Sequence, residues 1–142
     1  MALFSIVKGT SYAPFTSQTV SAGAYVIDAV GFDNRTAGMI SMDLQLLLSS
    51  VTPASGGTLA IYLISKIDGT NYPNPPGTTA QAPAPGTLVG SYAFTGAATT
   101  YLDIINMPMM LPYLNELVLW NNSGSSITIT SSVAQPTTIQ AV

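Results

Sequence analysis

Few side chains of this 142-residue chain could take part in acid–base or nucleophilic chemistry. The sequence contains no histidine and no cysteine, which removes Ser-His and Cys-His pairs and the imidazole and thiolate ligands of zinc sites. Six carboxylates and three cations are the only charged side chains. Catalysis would therefore need a pair of carboxylates, or a serine activated by a lysine.

The carboxylates form only two candidate pairs. A glycosidase-type pair needs its carboxyl groups about 5–9.5 Å apart. Asp28 with Asp33, and Asp103 with Glu116, are the candidates, and no neighbouring residue marks either pair as catalytic. We therefore expect neither pair to form a catalytic site.

The serine–lysine alternative is equally weak. Ser65 and Lys66 are neighbours on a predicted strand, and successive side chains of a strand point to opposite faces. The chain also has no phosphate loop, dinucleotide fingerprint or EF-hand. We expect a protein that is not an enzyme and that has no cofactor and no metal site.

Charge is scarce over the whole chain. Charged residues make up 6% of it, against about 25% in an average soluble protein. The net charge of −3 offers no basic surface for nucleic acid. The longest apolar run, residues 107–114, contains two prolines and is far shorter than the ~20 residues of a membrane span. We expect neither nucleic acid nor membrane as a partner; such a surface suits packing against neighbouring subunits.

Alternation of apolar and polar residues predicts strands, and helical periodicity is hard to find. Turn dipeptides such as Gly56-Gly57 and Ser123-Gly124 separate the predicted strands. The sequence predicts an all-β fold, an antiparallel β-sandwich that is jelly-roll-like and has extended N- and C-terminal arms. The clearest alternation is in residues 40–48, where five apolar side chains share one face: Ile40, Met42, Leu44, Leu46 and Leu48.

One domain accounts for the length of the chain. We expect an N-terminal arm at 1–18, the sandwich at 19–133 with a long proline-rich loop at 67–87, and a C-terminal tail at 134–142. Apolar side chains in the two terminal segments either pack on the protein's own core or reach a partner. The candidate assembly contacts are Phe4, Ile6, Tyr12, Phe15, Ile139 and Val142.

Two further patterns have alternative interpretations. Trp120 and the seven tyrosines could build a platform for stacking sugars, or Trp120 could fill the core or an interface. Residues 34–36 and 121–123 match the acceptor pattern for N-glycosylation, which is frequent by chance.

Two segments carry a family resemblance. Residues 56–72 (GGTLAIYLISKIDGTNY) and 114–127 (LNELVLWNNSGSSI) resemble small virion proteins of tailed bacteriophages, in which a Gly-Thr strand ends in a Ser-x-x-Asp-Gly-Thr-x-Tyr turn. The likeness covers residues 19–130. The proline-rich insertion after Tyr72 departs from the pattern. The resemblance implies a jelly-roll-like capsid decoration (cement) protein or a tail component, and it carries over no functional residues.

The resemblance and the scarcity of charge together predict a non-enzymatic structural protein of the virion. Its expected location is the outer capsid surface, where the major capsid protein would be its partner. We expect it to self-associate as a small closed oligomer, a trimer being the form we favour. The alternative is a tail-associated, receptor-binding or carbohydrate-binding β-sandwich module.

Overall fold

The fold is built from strands that pair in antiparallel fashion. The computed structural model describes residues 3–28, 30–34, 38–53, 56–66, 88–95, 98–108 and 114–141. Within those ranges no helix has the length and apolarity needed to cross a membrane. The strands are β1 (Phe4–Lys8), β2 (Gln18–Val20), β3 (Tyr25–Ile27), β4 (Phe32–Asp33), β5 (Met39–Val51), β6 (Thr58–Lys66), β7 (Leu88–Ala93), β8 (Ala98–Pro108), β9 (Leu114–Asn122) and β10 (Ile127–Ala141). The predicted loop at 67–87 and Val142 lie outside the described residues.

The strands form two sheets with matching layouts. In the first sheet the order is β1, β10, β5, β8, and β2 pairs with β10 beside β1. In the second sheet the order is β3, β9, β6, β7, and β4 pairs with β9 beside β3. The strands β1 and β2 thus form one interrupted outer row of the first sheet, and β3 and β4 form the corresponding row of the second.

The connections between the rows define a jelly roll. The chain changes sheet after β2, β4, β5, β7, β8 and β9, and the first row lies beside the last strand, β10. Two four-row antiparallel sheets wound in this way form the eight-row jelly-roll architecture. The predicted antiparallel, jelly-roll-like sandwich is confirmed.

The core lies between the two sheets, and β5 shows how the sequence builds it. Met42, Leu44, Leu46 and Leu48 point into the core and none is more than 2% exposed. Ile40, the fifth residue of the predicted alternation, is half-buried because the register with β10 shifts between Ser41 and Met39. A strict period of two therefore holds for most of β5 and ends where the strand bulges.

The strand β6 is buried on both faces. Leu59, Ile61 and Leu63 face the main core. The alternate residues form a second apolar cluster on the outer face of the second sheet, with half-buried Tyr25, Ile27 and Trp120 at its margin: Ala60, Tyr62, Ile64 and Val118. Burial on both faces explains why this strand reads as a nearly continuous apolar run.

The two terminal segments pair with each other. Phe4 lies opposite Ala141, Lys8 lies opposite Thr137, and Tyr12 forms an isolated bridge with Ala134. The strand β10 continues without interruption from Ile127 to Ala141. In the described residues, β1 of the segment predicted as the N-terminal arm therefore forms part of the edge row of the first sheet, and the segment predicted as the C-terminal tail lies in β10, between β1 and β5.

Replacement by alanine should have very different effects at two phenylalanines of the N-terminal segment. Phe15 is 1% exposed and belongs to the core, whereas Phe4 is 69% exposed. We expect Phe15→Ala to lower the free energy of unfolding by about 3–5 kcal/mol, because it leaves a cavity. We expect Phe4→Ala to change it by less than about 0.5 kcal/mol. Urea unfolding of both variants measures the difference, and equal losses would contradict this arrangement of the N-terminal segment.

Candidate functional site

Exposed apolar side chains gather on the outer face of the first sheet, where β1 meets the end of β10. Phe4 and Ile6 are each 69% exposed and Ile139 is 44% exposed. Ile6 lies directly opposite Ile139 in the register of the two strands. Facing residues of an antiparallel pair share a face, so these three side chains form one surface. We call it the apolar strip (Phe4, Ile6 and Ile139).

The charge beside the apolar strip is neutralised within the chain. Lys8 continues the outward-facing alternation of β1, and its Nζ lies 2.5 Å from Oδ2 of Asp43 on β5. The pair is solvent-exposed, so it contributes at most about 1 kcal/mol to stability. Its larger effect is on the surface, because the one cation of β1 is held against a carboxylate and leaves no net charge at the strip.

The backbone of β1 also has one side without a strand partner. Gly9 N donates to Pro136 O at 2.8 Å, so Gly9 faces β10. In an antiparallel strand, residues whose N–H and C=O groups point towards one neighbouring strand alternate with residues whose groups point the other way. The backbone groups of Ser5 and Val7 therefore point towards β10 as well. The N–H and C=O groups of three residues point away from β10: Phe4, Ile6 and Lys8.

A second hydrogen bond agrees with this assignment. Ile139 N donates to Gly38 O at 3.2 Å, on the side of β10 that faces away from β1. Ile6 and Ile139 are therefore a non-hydrogen-bonded pair. In the described part of the chain β1 pairs with β10 alone, so its outward groups form an open edge.

The other candidate assembly contacts lie elsewhere. Phe15 is a core residue, and its N–H donates to the Ser132 hydroxyl at 2.9 Å. Tyr12 is half-buried and packs against the main core. Val142 lies outside the described residues. Of the six candidates, the structure brings together Phe4, Ile6 and Ile139 on one surface.

Tyr12 takes part in a polar link between the two sheets. Its hydroxyl donates to Oδ2 of Asp28 at 3.0 Å, and Val30 N donates to Oδ1 of the same carboxylate at 2.9 Å. Asp28 is 4% exposed. Burial raises the pKa of Asp28 above its ordinary value, although backbone hydrogen bonds from Val30 and Gly31 act in the opposite direction. Burial, followed by the charge of Asp28, also raises the pKa of the Tyr12 phenol.

Asn121 makes a second polar link between the two sheets. It is fully buried, and its Nδ2 donates to Val20 O at 2.9 Å and Ser125 O at 2.8 Å. Val20 belongs to the first sheet and Asn121 to the second. The side chain that matched the glycosylation pattern at residues 121–123 is thus a buried structural contact, which sequence reasoning did not identify.

The candidate pair of Asp103 and Glu116 does not assemble into a catalytic arrangement. Asp103 accepts a hydrogen bond from Gln45 Nε2 at 2.9 Å on the exposed outer face of the first sheet. Glu116 lies between buried Asn115 and Leu117 on β9, so it faces outward from the second sheet. The sandwich separates the two carboxylates by more than the ~10 Å between packed sheets. Glycosidase pairs are closer than this.

The remaining candidates for chemistry are also engaged. Ser65 is buried, and its hydroxyl donates to Asn115 Oδ1 at 2.5 Å. Asp28 is buried and holds the hydrogen bonds described above, so one member of its candidate pair with Asp33 is not open to a substrate. Among the residues that the structure describes, no three or more His, Cys, Asp or Glu side chains gather as metal ligands would.

Trp120 belongs to the outer apolar cluster of the second sheet. Its Nε1 donates to Gly23 O at 3.3 Å, and its ring centroid lies 6.5 Å from that of Tyr62 with a tilt of 52°. Tyr62 is 7% exposed, while Trp120 and Tyr25 are half-buried. Among the described residues of this face, the aromatic groups accessible to a ligand are parts of Trp120 and Tyr25.

Comparisons with known proteins find likeness only among solved structures. No family model matches the chain, and no curated protein matches it. The carbohydrate-binding module CBM36, solved with calcium and xylotriose, is 18% identical, with 91% of this chain and 97% of that chain covered and a TM-score of 0.47. A CBM36-1 domain of a multidomain xylanase from the hindgut metagenome of Trinervitermes trinervoides is 11% identical, with coverages of 94% and 96% and a TM-score of 0.44.

A viral particle is also among these structures. A chain of the infectious bursal disease virus Gx strain is 11% identical, with 95% of this chain and 32% of that chain covered and a TM-score of 0.47. All three TM-scores are below 0.5, and so these likenesses carry no argument about function.

Replacement of Asp28 by the amide should reveal the burial of its carboxylate. A carboxyl group whose pKa is raised in the folded state stabilises the protein at low pH, and this contribution is lost as the pH rises through the folded-state pKa. The neutral amide does not titrate, and the Tyr12 hydroxyl can accept a hydrogen bond from it. We therefore expect the free energy of unfolding of Asp28→Asn, relative to wild type, to increase from pH 4 to pH 7 in denaturant titrations.

Asp103→Asn is the control for this experiment, because it removes one carboxylate from an exposed face. A relative stability of Asp28→Asn that decreases from pH 4 to pH 7 would contradict the dominance of burial. In that case the hydrogen bonds from Val30, Gly31 and Tyr12 would outweigh desolvation.

Proposed function

We propose that this protein is a non-enzymatic structural protein of a bacteriophage virion, a decoration protein that binds the outer capsid surface and stabilises the shell. The observation that carries the proposal is the apolar strip beside an open strand edge, on a chain of which 6% of the residues are charged. The resemblance of residues 56–72 and 114–127 to small virion proteins points in the same direction.

The open edge favours a protein that functions in contact with other subunits. Proteins that remain monomeric usually protect an edge strand with lysines, prolines or bulges. The strand β1 has no proline, and its lysine is held by Asp43. A repeated shell would offer such an edge many copies of one partner, and weak contacts multiplied by valency would then give firm attachment.

The partners that fit this role are the major capsid protein and further copies of this chain. Contact with either would cover apolar surface without leaving a charge unpaired. The proposed self-association is a small closed oligomer, since closed symmetry covers edges without open-ended growth.

A non-catalytic role agrees with the positions of the polar side chains. The carboxylates Asp103 and Glu116 face opposite sides of the sandwich. Asp28 is buried, and its carboxylate accepts hydrogen bonds from Tyr12 and Val30. Ser65 is buried against Asn115. These are the arrangements of structural residues, and they support a function based on surface fit.

A tail-associated or carbohydrate-binding module remains the second candidate, favoured by the half-buried rings of Trp120 and Tyr25 on one face of the second sheet. Sugar rings stack on accessible aromatic faces. Glycan-array binding that is lost in Trp120→Ala and retained in Trp120→Phe would favour this candidate over the capsid role.

Sedimentation with empty shells tests the capsid role. We expect the purified protein to pellet with shells of the major capsid protein, and its affinity to change by less than about threefold between 0.05 and 1 M NaCl, because salt screens charge pairs and not apolar contacts. The variants Asp33→Asn, Asp103→Asn and Glu116→Gln should also bind within about threefold of wild type. Absence from the pellet, or its loss at high salt, would count against the proposal.

Assays for hydrolysis test the non-catalytic role. We expect no turnover of glycans, peptides or esters, because the chain lacks histidine and cysteine, the groups most readily tuned to neutral pH. A turnover signal that disappears in Asp103→Asn or Glu116→Gln would overturn this part of the proposal.

A further inference from the structure

We propose that β1 is the site of self-association, and that it pairs in antiparallel fashion with β1 of a second copy about a two-fold axis at Ile6. The two first sheets would then join into one continuous sheet across the interface. A strand edge paired with its own copy in this way is necessarily isologous, so the closed oligomer is a dimer and not the trimer expected from the sequence.

The backbone of β1 has the groups that this pairing requires. Phe4, Ile6 and Lys8 point their N–H and C=O groups away from β10, as the hydrogen bond from Gly9 N to Pro136 O implies. With the axis at Ile6, the two Ile6 residues form one hydrogen-bonded pair. Phe4 of each copy lies opposite Lys8 of the partner subunit, which gives two further pairs. Three facing pairs with two bonds each give about six main-chain hydrogen bonds.

The side chains of the apolar strip become complementary in the same register. Ile6 lies beside Ile139 within one copy, and across the axis it would lie beside Ile6 of the partner subunit. A row of four isoleucines, two from each copy, would then cross the joined sheet on its outer face. The most exposed apolar side chains of both strips would lose contact with water together.

Charge favours a second copy as the occupant. The only charged residue of β1 is Lys8, and its Nζ already lies 2.5 Å from Asp43 Oδ2. In the proposed register the two Lys8 residues are four positions apart across the axis, so like charges do not meet. Each lysine instead has a Phe4 ring opposite it, a favourable contact for its aliphatic stem.

The small size of the interface sets the expected strength. Five residues of edge strand bury less than the ~1,600 Å² of a standard interface. We therefore expect a dimer that dissociates on dilution in free solution. Self-pairing of β1 does not depend on the capsid role. Sedimentation of the free protein tests the pairing, and sedimentation with shells tests the capsid role, so the two proposals can fail separately.

Sedimentation velocity from about 10 µM to about 1 mM, a range that brackets weak association, tests the dimer. We expect the wild-type mass to rise with concentration from 14.7 kDa towards twice that value. Ile6→Lys should remain monomeric, because a lysine at the centre of the edge would meet its own copy. Val30→Lys is the matched control: Val30 is 70% exposed and lies outside the apolar strip, so this variant should dimerise like wild type.

A backbone variant separates edge pairing from simple apolar contact. Ile6→Pro removes an N–H that the pairing with β10 does not use, which is the position where an edge strand tolerates proline. It should fold and remain monomeric. In wild type, hydrogen exchange should show protection of the Ile6 amide that rises with concentration, while the amides of Ser5 and Val7 are protected at every concentration.

Three results would overturn the proposal. The first is a wild-type mass that stays at that of the monomer up to 1 mM. The second is a dimer that Ile6→Lys leaves intact, or that Val30→Lys weakens equally. The third is a trimer as the limiting mass. A monomeric Ile6→Lys that still pellets with shells would retain the capsid role and show that pairing is not needed for attachment.

Discussion

The first sheet depends on the pairing of β10 with three other strands. β10 pairs with β1 and β2 on one side and with β5 on the other. Without it, β5 would lose one of its two neighbours, and the row of β1 and β2 would lose the one neighbour that it has among the described strands. Because Ile127, Ile129 and Ala134 of the same strand are fully buried in the core, the ladder that joins the strands also positions the apolar layer.

The alternation of residues 40–48 predicts β5 well, because burial of one face imposes a period of two whatever the partner strand. The terminal segments could not be predicted in the same way. β10 is rich in Ser and Thr and contains Pro136, so its period is weak where the register shifts near Ile129 and Thr138. Its pairing with β1 depends on a partner more than a hundred residues away in the chain.

The candidate site could be predicted only in part from the sequence. Apolar residues near both ends of the chain mark Phe4, Ile6 and Ile139 as unusual, and the structure brings these three together. The same criterion selects Phe15, which fills the core, since composition cannot distinguish an apolar residue that turns inward. The link between Tyr12 and Asp28 and the contacts of Asn121 join elements of different sheets, and no local pattern in the sequence marks them.

The pairing of β1 with the end of β10 has a consequence for the order of folding. Phe4 pairs with Ala141, so β1 cannot find its partner until residues 137–141 have been synthesised. Contacts so distant in sequence carry a large loop-closure entropy, and proteins dominated by them fold slowly. On the ribosome, the second sheet can assemble from β3 to β9 while β1 waits with its apolar side chains in solvent. A nascent chain in this state is exposed to aggregation until β10 emerges.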